Sequence, residues 1–295
     1  MIPPQAENTE MARGLFQEKI QEEKIKRAFE IFRASGIEPI LIKGWAAARP
    51  YTRRFERIYS DIDLCVDPDS FEKARALAEQ ESVKRLNVDL HRGFRHLDTI
   101  SWDDLYKNSR LAALEDTLVR ILRPEDHLRI LCVHWLNDGG AHKERLLDVF
   151  YAVENRPDDF DWKRCLSVVS EKRRRWIVCV IGLTRIYFGL SIKNTPLETE
   201  VEDVPGWLIR AVEKEWQSKV RLKPLLTCLH DRKQFVEQIR KRLPPNPIQA
   251  TIESEGSFDR GPRIFYQTAT LLVRTIPLLK EVRRLWSRRF NQQNT

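Results

Sequence analysis

Leu15, Phe16, Ile20, Ile25, Phe29 and Phe32 share one face of a helix between about residues 9 and 35. Ser35-Gly36 stops it, because glycine is favoured just past a helix end. Pro39 to Ile42 reads as a short buried strand that runs into Lys43-Gly44, an alanine-rich turn of helix and a break at Pro50. Ile62 to Val66 predicts a second strand. Asp67-Pro68 then supplies an N-cap followed by proline at the first helical position, opening a helix to about Gln80. A third strand is expected from Val83 to His91, with Val88 and Leu90 flanking Asp89, and a short one at Leu118 to Leu122. From Pro124 the period becomes helical, predicting helices over 125–137, 141–154, 161–171, 173–190, 205–218 and 222–242. The prolines and glycines of Leu243 to Gly261 read as a linker, and 263–290 as an amphipathic helix kinked at Pro277. The pattern predicts an α+β chain in three parts. An α/β domain with an N-terminal helix and a short mixed sheet spans 1–122, an all-helical domain 123–242, and a linker with a basic C-terminal helix 243–295.

Composition narrows the class. The chain has 295 residues, 42% hydrophobic and 32% charged, which is a globular balance. No apolar run approaches the roughly 20 residues of a membrane helix, and Met1 to Glu10 lacks a secretion-signal pattern. The five cysteines (Cys65, Cys132, Cys165, Cys179, Cys228) form no CxxC pair, so a disulfide framework and a zinc site are both disfavoured and a cytoplasmic location is expected. The formal net charge is +8, and between Pro262 and Thr295 seven basic residues face one acid. Acidic partners are favoured. The rest of the chain is nearly balanced and carries no basic track interleaved with aromatics, so nucleic acid is not expected.

Asp61-Ile62-Asp63 sets two carboxylates two residues apart, hence on one face of a strand. Like charges held together need a cation or water, and Mg²⁺ or Mn²⁺ suits carboxylates combined with phosphate oxygens. Asp89 reaches the same place from an adjacent strand. Lys43-Gly44 at a strand end lets backbone N–H groups approach phosphate. Taken singly, each fragment is as readily a solvated turn or strand edge; their order is the signal.

Leu41-Ile42-Lys43-Gly44, Arg57 before Ser60-Asp61-Ile62-Asp63-Leu64, and Val88-Asp89-Leu90-His91 resemble the uncharacterised bacterial nucleotidyltransferases of the DNA polymerase β-like superfamily. Leu122-Arg123-Pro124-Glu125-Asp126, Cys132-Val133-His134, Arg145-Leu146-Leu147-Asp148 and Asp161-Trp162 extend the resemblance to about Leu166. The resemblance implies a polymerase β-like core. Asp61, Asp63 and Asp89 would be catalytic and hold two metal ions, Lys43 and Gly44 would lie on the triphosphate, and Arg57 and Ser60 would line the pocket. It implies transfer of NMP, AMP by default, from an NTP to an acceptor such as a sugar, peptide, protein or small molecule. Many members of the wider superfamily carry Gly-Ser or Gly-Gly where this chain has Gly44-Trp45. A catalytically weakened nucleotide- or partner-binding protein on the same fold is the alternative.

His127 and His134 share a helix face with His142 following, a spacing that suits structural histidines better than a metal triad. His134 and Asp148 are expected to pair as a clamp beside the nucleotide. Lys172 to Arg175 reads as a solvated helix start. The stripe Leu272, Ile276, Leu279, Trp286 and Phe290 is expected to pack onto the helical domain, with peripheral membrane or partner binding as the other use of that helix.

Overall fold

The computed structural model describes residues 4–53, 57–93, 100–228 and 230–274. Two compact units emerge. The first comprises 1–133 and 144–203, and the second 134–143 and 204–295.

In the first unit, helix α1 (Pro4–Ala34) precedes strand β1 (Ile40–Leu41), a four-residue helix α2 (Trp45–Ala48) and strand β2 (Ile62–Val66). Helices α3 (Phe71–Ala78) and α4 (Glu81–Lys84) lead to β3 (Val88–Arg92). Helix α5 (Trp102–Asn108) and a hairpin of β4 (Arg110–Leu114) and β5 (Thr117–Ile121) complete the mixed sheet, ordered β3-β2-β1-β5-β4. β2–β3 and β1–β5 are parallel; β1–β2 and β4–β5 are antiparallel. Ile62, Leu64 and Val66 alternate onto one face of β2 and join Ile25, Phe29 and Phe32 of α1 in the core. The expected apolar face of α1 is thus only half used, since Leu15, Phe16 and Ile20 are exposed.

Two strand expectations need correction. Val83 belongs to α4 and not to a strand; Asn87, at φ 60, turns the chain before β3 begins. Leu118 to Leu122 is one arm of a hairpin whose other arm, Arg110–Leu114, was missed because its short Leu-Ala alternation has little β-branched character.

After β5 every described element is helical: α6 (Pro124–Asn137), α7 (Leu146–Glu154), α8 (Trp162–Ser167), α9 (Glu171–Phe188), α10 (Gly206–Gln217), α11 (Arg232–Arg242) and α12 (Pro247–Glu253). α12 lies inside the expected linker. Asn246 caps it by accepting from the N–H groups of Ile248 and Gln249, and Pro247 occupies its first turn. The basic start of α9 is ion-paired and not simply solvated: Arg174 forks onto Glu200 with two 2.6 Å bonds, and Arg175 pairs with Asp203. The final stretch is helical over 263–274. Its expected kink at Pro277, with Ile276, Leu279, Trp286 and Phe290, lies outside the described residues. Leu272, expected to pack, is exposed.

Candidate active site

β2 and β3 run parallel in a register that sets Asp63 directly opposite Asp89 and Cys65 opposite His91. Since Leu64 and Leu90 point into the core, period-two alternation sends Asp63, Asp89 and His91 to the other face. There one carboxylate oxygen of each aspartate and a ring nitrogen of His91 lie within 4.8 Å of one another. His91 Nε2 is 3.0 Å from Asp63 Oδ1 and 3.3 Å from Asp89 Oδ2. Lys43 Nζ makes an ion pair with the same Asp63 oxygen. Asp63 is only 3% exposed, whereas Asp89 is open to solvent, so the cluster runs from the interior to the surface.

Burial opposes charge on Asp63, but the His91 hydrogen bond and the nearby Lys43 ammonium outweigh it and hold the carboxyl below its usual range. The His91 bond likewise lowers Asp89. Burial disfavours the His91 imidazolium, yet its bonds to both aspartates prevail and lift it to about 9. Two cationic side chains therefore neutralise the carboxylate pair. Sequence reading passed over His91 as a ligand; its place two residues beyond Asp89, on the same strand face, was the available signal.

Asp61 stands just before β2, exposed and outside that cluster. Ser60, also exposed, accepts a hydrogen bond at its carbonyl from Asn87 Nδ2 at 2.9 Å. Gly44 has φ 52 and ψ −118, a conformation that suits only glycine, and a Cβ there would sit 3.1 Å from the Tyr59 ring. This turn redirects the chain from Lys43 into α2. Trp45 is fully buried, and its indole N–H donates to Glu22 at 3.2 Å. Trp45 is thus a core anchor to α1. His127, buried in α6, holds the preceding strand end through a 2.9 Å contact from Nε2 to the Ile42 carbonyl.

Arg57 and Asp148 form a bidentate pair, with Nε to Oδ1 at 2.6 Å and Nη2 to Oδ2 at 2.8 Å, and Tyr51 donates its hydroxyl to the same Oδ1. Asp148 thus gives its oxygens to Arg57 and Tyr51. His134 belongs to the second unit, where its Nε2 lies 3.5 Å from Asp138.

The Arg123-Pro124-Glu125-Asp126 and Asp161-Trp162 fragments tie α6 to the start of α8. Asp126 pairs with buried Arg129 and with Arg164, and Glu125 accepts from the Asp161 backbone N–H at 2.9 Å. They position helices and take no part in the acidic cluster.

Comparison with curated proteins and with solved structures finds no match to the chain. Residues 10–189, more than half of its length, match the family described as uncharacterised nucleotidyltransferase, and the protein belongs to that family.

Proposed function

We propose that the protein is a polymerase β-like, metal-dependent enzyme that moves a nucleoside monophosphate, AMP by default, from an NTP to a hydroxyl or phosphate acceptor. The acceptor oxygen attacks the α-phosphorus, the bond to the bridging oxygen breaks, and pyrophosphate leaves. The observation that carries this reading is the parallel register of Asp63 with Asp89 beside the Lys43-Gly44 turn, in a chain of this family.

The donor set fits a divalent cation. Two carboxylates and one imidazole converge, one carboxylate buried and the other facing solvent. Asp63 and Asp89 would hold Mg²⁺ or Mn²⁺, His91 would suit Mn²⁺ better than Mg²⁺, and Asp61 would join from the strand entrance to complete a two-metal set. A bound cation supplies a lowered pKa at the acceptor oxygen and offsets charge developing on the phosphates. Lys43, freed from Asp63, would carry its ammonium to the triphosphate, and the backbone beside Gly44 would approach the phosphates closely. Arg57, held in its fork by Asp148, and exposed Ser60 would line the nucleotide pocket. Asp89, exposed to solvent, is the carboxylate best placed to receive the acceptor proton. Five buried cysteines, none of them in a disulfide, support work in the reducing cytoplasm.

The test is transfer of label from each NTP to acceptors in a bacterial lysate, with Mg²⁺ or Mn²⁺, for the wild type and Asp61→Ala/Asp63→Ala. Metal-dependent transfer is expected, reduced at least about 10²-fold in the double variant, the scale set by losing electrostatic stabilisation of the transition state. Equal nucleotide binding by both proteins without transfer would instead favour the catalytically weakened binding protein, a role consistent with Trp45 in place of a phosphate-contacting serine.

A further inference from the structure

The second unit contains a cavity of about 480 Å³, a volume suited to a small organic ligand. Helix α10 presents Trp207, Arg210 and Lys214 to it at positions spaced by three and four residues, while Leu208 and Val212 on the opposite face are buried in the unit's core. Arg240 of α11 reaches the same space. Arg210, Lys214 and Arg240 are exposed and have no acidic partner among the described residues. The one acid lining the cavity, Glu215, is already paired with Lys241 at 2.8 Å.

The cavity is therefore cationic, and apart from Lys241 its lining cations are not consumed by the protein's own carboxylates. Like charges one helical turn apart repel, so Arg210 and Lys214 are held together at a small cost that an anion would remove. Between the polar side chains of Ser218, Asn246 and Gln267, apolar wall is supplied by Trp207 and the Pro244-Pro245 segment, whose Pro245 carbonyl is fixed by a 2.6 Å bond from Gln267. Arg263 stacks on the Trp207 ring with 4.5 Å to the centroid, adding a fourth positive charge that is bonded to backbone carbonyls and to no carboxylate. Guanidinium and ammonium groups recognise phosphate, and the Pro244-Pro245 wall beside the Arg263-stacked Trp207 offers apolar surface to a compact ring.

We infer that this cavity is a binding site for a small phosphate monoester carried on a compact ring, of the sugar-phosphate class, separate from the acidic cluster on β2 and β3. The inference rests on the second unit alone and does not depend on the proposed transfer reaction.

Calorimetric titration of the 295-residue chain without divalent metal, using glucose 1-phosphate, glucose and inorganic phosphate as probes, tests it. Saturable binding of glucose 1-phosphate is expected, with glucose undetectable and inorganic phosphate at least tenfold weaker. Arg210→Ala/Lys214→Ala, both on an exposed helix face, should weaken the sugar phosphate at least tenfold, and Asp63→Asn should leave it unchanged. Absence of binding, insensitivity to the α10 variant, or loss in Asp63→Asn would overturn the assignment. Inorganic phosphate binding as tightly as the sugar phosphate would overturn the ring-bearing class. Binding of a short RNA that the sugar phosphate cannot displace would overturn the small-molecule class.

Discussion

At the scale of single residues, His127 bears on stability more directly than on chemistry. It is buried, touches the Ile42 carbonyl, and burial pushes its pKa down to about 4, partly offset by that carbonyl and by the charge of Asp148, with Arg57 and Arg49 opposing a second positive charge. The folded protein therefore keeps it neutral where the unfolded chain, with a pKa near 6.5, would protonate it. Its contribution is fully present above pH 6.5 and is lost as pH falls toward 4. At about 1.4 kcal/mol per unit this amounts to roughly 3 kcal/mol across the window. Urea unfolding at pH 7, 5.5 and 4.5 should show a declining free energy in the wild type. His127→Gln, which keeps a donor for Ile42, should start less stable at pH 7 and decline more gently. Parallel slopes would mean that the acid sensitivity arises elsewhere.

At the scale of elements, the turn after β1 decides where Lys43 stands. A side chain at Gly44 must adopt φ 52 with ψ −118 and meet the Tyr59 ring at 3.1 Å. Gly44→Ala should cost about 1–3 kcal/mol in chemical denaturation, the range for a strained backbone conformation. It should also raise KM for the NTP if the turn faces phosphate; a change in stability with KM unaltered would separate the turn's structural duty from substrate contact. This element was legible in the sequence, because a strand running into Lys-Gly followed by small residues has few other readings. β2 was legible for the same reason: five residues alternating across two buried faces leave little ambiguity. What escaped was decided by tertiary context. The Leu-Ala alternation of β4 lacks β propensity and becomes a strand by pairing with β5. α12 hid behind Pro244, Pro245 and Pro247, although Asn246-Pro247 carried a helix-start signal of its own. At the site, the order of Asp63 and Asp89 was readable, but the parallel register that adds His91, and the fork that gives Asp148 to Arg57, join residues 28 and 91 positions apart.

At the scale of the whole molecule, the chain enters the second unit twice, first as the short 134–143 segment and then from Val204 onward. That segment is bound to the later residues through its backbone. Trp216 donates to the Gly140 carbonyl at 2.7 Å, Asn246 to that of Gly139 at 3.0 Å, and Gln249 to that of Asn137 at 2.7 Å. A Cβ at Gly140 would come within 2.9 Å of Val212, so the fit leaves no room for a side chain. The family match ends at residue 189, which places α10 to α12 beyond it. A chain shortened to residues 1–203 would therefore retain the acidic cluster and every residue of the match, yet it would strip these three carbonyls of their partners. Trp135, now 1% exposed, would lose the second-unit residues that surround the Gly139-Gly140 turn. Each abandoned buried carbonyl costs on the order of 1–3 kcal/mol unless water replaces the donor, and a newly exposed indole favours association. The shortened chain should bind a hydrophobic dye, aggregate on concentration and melt at a lower temperature than the full chain, measured by light scattering and thermal unfolding. A monodisperse 1–203 chain with undiminished melting temperature would instead mean that the 134–143 segment is self-sufficient and that the second unit can be exchanged without cost to the first.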